Sequence, residues 1–369
     1  MNRCRRCVIP QSRPDTAFVD GVCSACLAYD KRKAIDWEAR GKELRTILDA
    51  AKMRQRAYDC IVPSSGGKDS TYQVLTLLEL GTRPLVVTAS TCHLTPIGRK
   101  NIDNLARYAT TIEVTPNRST RAKLNHIGLE EVGDISWPEH ASIFTTPFRI
   151  AAALDIPLIF YGESPQNQYG GPPCSEEERR MTRRWVSEFG GFLGLRADDL
   201  AARQDIDPSD MLDYRLPAEG RIGETQFGPD AYFLGQFLPW DSHRNAHVAI
   251  KHGFSFRMPS LANWWEWENL DNAQTGIHDH LCYRKYGFGR LAAQISVDIR
   301  AGLIEREEAL QVVKENDGHF PYIYAGVTVH EMLDHIGMTM DQLEPILERF
   351  TNWALFSGVE NRRPILKAE

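Results

Sequence analysis

The run Ser65-Gly66-Gly67-Lys68-Asp69-Ser70 packs two glycines, two hydroxyls, one cation and one carboxylate into six residues. Glycine lets a backbone approach a ligand closely, and unpaired N–H groups at a helix start point at negative charge. The run therefore has the makings of a phosphate cradle. Its spacing differs from the Gly-x-x-x-x-Gly-Lys-Ser/Thr of kinase-type loops. The elements that would hold such a cradle flank it. Tyr58-Asp59-Cys60-Ile61-Val62-Pro63 reads as a buried strand, and Val74, Leu75, Leu77, Leu78 and Leu80 give the apolar face of a following helix. A Gly-rich turn that merely starts a helix is the plain alternative.

A second chemical group stands near the N-terminus: Cys4-x2-Cys7 and, fifteen residues on, Cys23-x2-Cys26. Each knuckle offers two thiolates on one tight turn, and four thiolates match the tetrahedral preference of Zn²⁺, with iron second. A closed four-cysteine shell leaves no open position, so a structural role is expected. A disulfide framework does not suit a cytosolic chain of this size. Cys60 and Cys92 read as small core residues in or beside strands, and Cys282 as helical. Cys174, in a Gly-Gly-Pro-Pro-Cys loop, is the one placed to lie exposed near a site.

With 42% hydrophobic and 25% charged residues among 369, the chain is an ordinary globular protein with room for one large core or two smaller ones. A net charge of -6 gives no electrostatic footprint for nucleic acid. The start lacks the apolar stretch of a signal peptide, and no run reaches the ~20 apolar residues of a membrane span. A cytoplasmic protein without membrane insertion is expected.

Four regions follow in order: a metal module over 1–30, a charged connecting helix over 31–57, an α/β core over 58–260, and a mainly helical region over 261–369. Strands are expected at Pro84–Thr88, Thr111–Val114, Pro157–Tyr161 and Tyr232–Leu234, with helices near 96–108, 139–153 and 246–252. Pro345 should begin or kink the last helix. Repeated βα units imply a parallel sheet covered on both faces, with ligands beyond the strand C-termini. The cradle, Thr88-Ala89-Ser90-Thr91 and Gly162-Glu163-Ser164 should then meet at one edge. Trp137, Glu139 and His140 are expected after a strand end, with His140 either a general base or a hydrogen-bonded structural histidine. Trp264, Trp265 and Trp267 either stack on a ligand or join the core.

The Ser65–Ser70 loop resembles the PP-loop of ATP pyrophosphatases, which split ATP into AMP and pyrophosphate while activating a carbonyl oxygen. Over essentially the whole chain the sequence resembles the N-acetyl sugar amidotransferases of lipopolysaccharide and flagellin sugar biosynthesis. The matching stretches include the cysteine knuckles with Ile35-Asp-Trp-Glu38, Pro63–Ser70, Gly133-Asp-Ile-Ser-Trp-Pro-Glu-His140, Gly162–Gly171 and Phe233–Asp241. They continue through Glu268–Asp279, Lys285–Arg290 and Arg349–Asn352.

That resemblance implies an adenine nucleotide alpha hydrolase-like core carrying the Cys4 zinc module and a helical C-terminal region. It implies an enzyme that turns the acetamido group of an N-acetylated, nucleotide-linked sugar into an acetamidino group, using ATP and ammonia from a glutaminase partner. A homo-oligomer is compatible with it. Ser65, Gly66, Gly67 and Ser70 would bind phosphate oxygens, Lys68 would offset pyrophosphate charge, and Asp69 would hold Mg²⁺; capping of the helix is the alternative for Asp69 and Ser70. Thr88, Ala89 and Gly162 would border adenine and ribose. Glu163, Asn167, Tyr169, Trp240, Asp241, Asn269 and Asp271 would contact the acceptor, and His140 would take a proton from ammonia. The chain departs from the family pattern at Gln168, where a glutamate is usual, at the aromatic run Asn263–Trp267, and at Cys174. Cys174 opens a second enzyme reading, a PP-loop sulfur transferase thiolating a carbonyl. A third is a non-catalytic nucleotide-binding subunit.

Overall fold

The computed structural model describes residues 2–14, 16–172, 177–203, 205–218 and 229–367, so Cys174 lies outside the described residues, as does the side chain of Asn167. The apolar runs read as strands pair into one sheet: β1 (Cys60–Pro63), β2 (Pro84–Ala89), β3 (Thr111–Val114), β4 (Leu158–Tyr161) and β5 (Asp230–Phe233). Its order is β3-β2-β1-β4-β5, and every pairing is parallel. Side chains alternate across it, as the pleat requires. Ile61, Leu85, Val87 and Ile159 pack on one face with Phe148 and Trp185. Cys60, Val62, Val86 and Phe160 pack on the other with Leu44, Leu48, Val74 and Leu77. Both faces are covered, which is why these strands read as nearly unbroken apolar runs. The chain runs outward from β1 to β3, then returns to place β4 on the other side of β1. That reversal opens a crevice at the C-terminal end of β1.

Helix boundaries follow local chemistry that periodicity alone did not give. The charged stretch 31–57 splits into Ser24–Arg32 and Trp37–Met53, because Asp36 caps the second helix by accepting the Ala39 N–H at 2.9 Å. The helix expected over 96–108 stops at Leu105. Trp137, Glu139 and His140 stand in the first turns of helix Trp137–Leu154, with Pro138 where a missing N–H is harmless, and not after a strand. Helix Met340–Arg349 begins at a reciprocal Thr339–Gln342 capping box and keeps Pro345 inside it. A closing hairpin, Phe356–Glu360 with Arg363–Leu366, adds β structure to the helical C-terminal region.

The N-terminal module docks far along the chain. Its four cysteines share an apolar cluster with Leu291, Ile295 and Val313. The Arg306 guanidinium donates to the Cys4 carbonyl at 3.2 Å and to the Cys7 carbonyl at 3.1 Å, and the Ser12 hydroxyl donates to the Tyr286 carbonyl. Among the described residues, no helix is long and apolar enough to cross a membrane.

Candidate functional site

β1 ends at Pro63, and four residues later Gly67 begins helix Lys68–Glu79 in extended geometry with no side-chain cap. The first N–H groups of that helix have no acceptor within it. The Ser64 hydroxyl accepts the Gly66 N–H at 2.9 Å and lies 2.7 Å from the Ser70 hydroxyl, which also donates to the Gly67 carbonyl at 3.0 Å. These bonds fix the loop's curvature around open amides. Gly66 has φ +82°, and a Cβ there would sit 2.8 Å from the Ile102 backbone nitrogen. Left-handed strain alone costs about 1–2 kcal/mol for an L-residue, and backbone cannot move aside cheaply. Gly66→Ala should therefore lower stability by at least about 2 kcal/mol in urea titration, and an unchanged midpoint would show that the loop is not held this way.

The loop opens onto a cavity of about 380 Å³ at the sheet's crevice. Ser65 to Ser70, Ala89, Thr91, Gly162 and Glu163 line it, so the three strand ends expected at one edge do meet. Thr88 does not: alternation along β2 gives the cavity to Val87 and Ala89, and the buried Thr88 hydroxyl has no hydrogen-bond partner among the described residues. The opposite wall comes from the C-terminal region, through Trp267, Glu268, Asn269, Leu270 and Asp271.

Lys68 is the electrostatic centre. It is 2% exposed, and its Nζ lies 2.7 Å from both Asp69 Oδ2 and Glu268 Oε1. Burial works to lower the ammonium's pKa, but the two carboxylates outweigh it and hold it above the ordinary lysine value. Glu268 answers in kind: burial pushes its carboxyl up, Lys68 pulls harder, and it stays below its ordinary value. Asn245 donates to Asp69 Oδ1 at 3.0 Å, and Gln294 to Glu268 Oε2 at 3.3 Å. Burial raises the Asp271 carboxyl, which Ser65 opposes only in part. In the sequence Glu268 stands out only as the first residue of a stretch shared with the family. A carboxylate 200 positions from the loop's lysine shows no spacing to betray the contact.

Glu163 sits at a junction. A second cavity, of about 260 Å³, shares Glu163 and Gln168 with the first, and its wall includes Arg32, Trp37, Trp240, Asp241 and Arg300. Burial raises the Glu163 carboxyl to about 7, although Arg32, paired to it at 2.5 Å, pulls the other way. Trp240 covers Gly162, where a Cβ would approach its ring to 3.2 Å. The Tyr169 hydroxyl is held neutral by burial, with Glu268 adding to that effect. Asp241 serves as a helix cap, accepting the Arg244 N–H at 2.6 Å, and Asn269 donates to Asn263 at 2.8 Å. The three tryptophans divide: Trp264 and Trp265 both donate to Asp298, whereas Trp267 faces the first cavity.

His140 lies one turn before Ile143 on a helix whose Ile143 and Pro147 line the cavity. Its Nδ1 is 3.1 Å from Asp134 Oδ2, and the His278 Nδ1 is 2.8 Å from Asp134 Oδ1. Burial would raise the Asp134 carboxyl, but His278 and His140 bring it well below its ordinary value.

At the N-terminus the Cys4, Cys7, Cys23 and Cys26 side chains are buried and their Sγ atoms lie within 4.8 Å of one another. None is in a disulfide. The Cys4 Sγ accepts the Arg6 N–H at 3.4 Å and the Cys23 N–H at 3.3 Å, the support that a metal-bound thiolate receives. Donor set and spacing fit a tetrahedral thiophilic cation.

Residues 251–363 match the family described as LPS biosynthesis protein WbpG-like, C-terminal domain. Over that stretch the match bears out the resemblance to lipopolysaccharide biosynthesis proteins. Among solved structures, NAD+ synthetase from Burkholderia pseudomallei is similar over 61% of this chain and 94% of its own, at 14% identity and a TM-score of 0.28. Values this low leave the α/β fold to rest on the sheet topology itself. No curated protein matches the chain.

Proposed function

We propose, from a WbpG-like C-terminal region closed over a phosphate cradle, that the protein is an ATP-dependent amidotransferase acting on an N-acetylated sugar. One observation carries the reading. Lys68 of the cradle and Glu268 of the WbpG-like region meet at 2.7 Å in a cavity that both regions line.

The acetamide carbonyl oxygen attacks the α-phosphorus of ATP, and the bond from that phosphorus to the β-phosphate oxygen breaks. Charge gathering on the departing pyrophosphate meets the open amides after Gly67 and the Lys68 ammonium, preorganised donors of the kind that supply most catalytic stabilisation. Mg²⁺, held through Asp69, would add charge neutralisation on the phosphates. Ammonia from a glutaminase partner then adds to the imidate carbon, the C–O bond to AMP breaks, and one proton leaves the nitrogen. Glu163, which lines the cavity and whose carboxyl burial pushes up to about 7, would accept it. The base role expected of His140 passes to Glu163 in this reading, because Glu163 lines the cavity and His140 does not. The adenine and ribose border Ala89 and Gly162, and the sugar reaches toward Gln168, Tyr169 and Asn269. Zn²⁺ in the Cys4 module would have a structural role.

Incubation with ATP, ammonium and a panel of acetamido sugars should yield AMP and a product about 1 Da lighter than its acceptor, oxygen having been replaced by NH. A product about 16 Da heavier would mark the sulfur-transfer chemistry that Cys174 allows. Absence of AMP with every acceptor would sink both enzyme readings.

The Glu163 proton sets a pH dependence. Its carboxyl rises from an ordinary 4.5 to about 7 in the folded protein, so the folded chain holds this proton more tightly. The resulting stability is present below about pH 4.5 and is lost as pH rises through about 7, on the order of 3 kcal/mol in all. Turnover should rise over the same interval as the carboxylate appears. Glu163→Gln should flatten both profiles, and a variant that keeps the acid limb would assign it elsewhere.

A further inference from the structure

Asp134, His140 and His278 converge from three separate places: a loop, helix Trp137–Leu154 and helix Thr275–Tyr286. We propose that these three side chains bind one divalent first-row transition cation through the Asp134 carboxylate and the Nδ1 atoms of both imidazoles. The remaining coordination positions would take water or another oxygen donor. The assignment does not depend on the amidation chemistry.

Proximity is the first support. One ligand atom from each residue lies within 4.8 Å of the other two. Directionality is the second. The His140 Nδ1 is buried and only 3.1 Å from Asp134 Oδ2, yet it makes no hydrogen bond among the described residues. A nitrogen and an oxygen that approach this closely without pointing at each other match neighbouring ligands on one ion. Bonds of about 2.1 Å at right angles put such atoms about 3 Å apart. The His278 Nδ1 is hydrogen-bonded to Oδ1 at 2.8 Å, a contact that an ion would replace at about the same edge length if both carboxylate oxygens faced it.

The surroundings are built for a ligating carboxylate. Asp134 forms the floor at 3% exposure, while the His140 and His278 side chains form a rim at 28% and 24%, leaving one side open to solvent. The Ser136 N–H donates to Asp134 Oδ1 at 2.9 Å, orienting it as outer partners of metal ligands do. Gly191 packs against His140, where a Cβ would come within 3.0 Å of Nδ1, so a side chain there would crowd the imidazole. The nearby cations are engaged elsewhere: Lys285 donates to the Val132 carbonyl at 2.8 Å, and Arg290 to Asp279 at 3.0 Å. Two imidazoles and a carboxylate suit Mn²⁺, Fe²⁺, Co²⁺ or Zn²⁺, whereas the thiolates of the N-terminal module select softer ions.

Mn²⁺ separates the two sites, because a four-thiolate shell takes it poorly. Titration of the purified full chain without nucleotide, read by loss of the free-Mn²⁺ signal in electron paramagnetic resonance, should show one bound ion per chain. His278→Ala and the near-isosteric Asp134→Asn should each weaken that binding by more than about 100-fold, beyond the roughly 10–100-fold that loss of outer-shell support typically costs. Asp69→Asn should leave it unchanged. Thermal melts confirm that each variant is folded. Wild-type protein that binds no Mn²⁺, or folded His278→Ala protein that binds it as tightly as wild type, would leave only a hydrogen-bonded network and overturn the proposal.

Discussion

Lys68→Met should slow acceptor-dependent exchange of pyrophosphate into ATP by roughly 10²–10³-fold, the usual effect of removing one preorganised donor from developing charge. The same change should also destabilise the fold, for a separate reason. Lys68 is buried between Asp69 and Glu268, so methionine strands the mostly buried Glu268 carboxylate beside the partly exposed Asp69. Breaking a buried ion network from one side typically costs about 3–5 kcal/mol. The two effects can be parted. Adding Glu268→Gln to Lys68→Met removes the stranded charge and should restore much of the melting temperature while leaving exchange at the low level. If the double variant regained exchange along with stability, Lys68 would be a structural cation and the cradle reading would lose its centre.

Cys23→Ser should have the second largest effect, and it should fall on the acceptor side of the site. Cys23 is the residue before helix Ser24–Arg32, and that helix ends at the arginine paired with Glu163. The Ser24 hydroxyl also accepts the Gly171 N–H at 3.0 Å, and the Ala17 N–H donates to the Gly171 carbonyl at 3.2 Å. The cysteine module thus holds both Arg32 and the Gly170-Gly171 turn in place. Zinc-dependent modules owe about 10–16 kcal/mol of apparent binding energy to their metal. The apolar contacts with Leu291 and Val313 should keep part of this module docked without it. Product formation should drop by about 100-fold, as a misplacement of about 1 Å suffices to do, while binding of a fluorescent ATP analogue persists. Prolonged chelation should act in the same direction. A Cys23→Ser protein with wild-type melting and turnover would show that the four thiols do not organise the site.

The local pieces of this architecture were legible in the residues. Strand-loop-helix at Cys60–Glu79 could be read because a short apolar run, paired glycines and a 3.6-residue apolar period stand in immediate succession. The meeting of Ala89, Thr91, Gly162 and Glu163 at one edge followed from parallel topology alone. What stayed hidden was of two kinds. Contacts across long sequence separation leave no spacing, so Glu268 against Lys68 and His278 against Asp134 appear only once the chain is folded. Side-chain direction is the other kind. Thr88 and Ala89 are adjacent, and only the register of β2 decides which of them faces the cavity. Trp265 shows the same limit, since a buried indole resembles a ligand contact until its hydrogen bonds are seen.

The distant docking of the cysteine knuckles has a consequence in time. Residues 4–26 are synthesised well before the surface that buries them, Leu291 to Val313. At about 5–20 residues per second that delay is on the order of tens of seconds. Throughout it, four closely spaced thiols are exposed to oxidation and to competing metals. A cation bound by these thiols would then be chosen before the core exists to select it, and an error made at that stage would be sealed in by the closing helices.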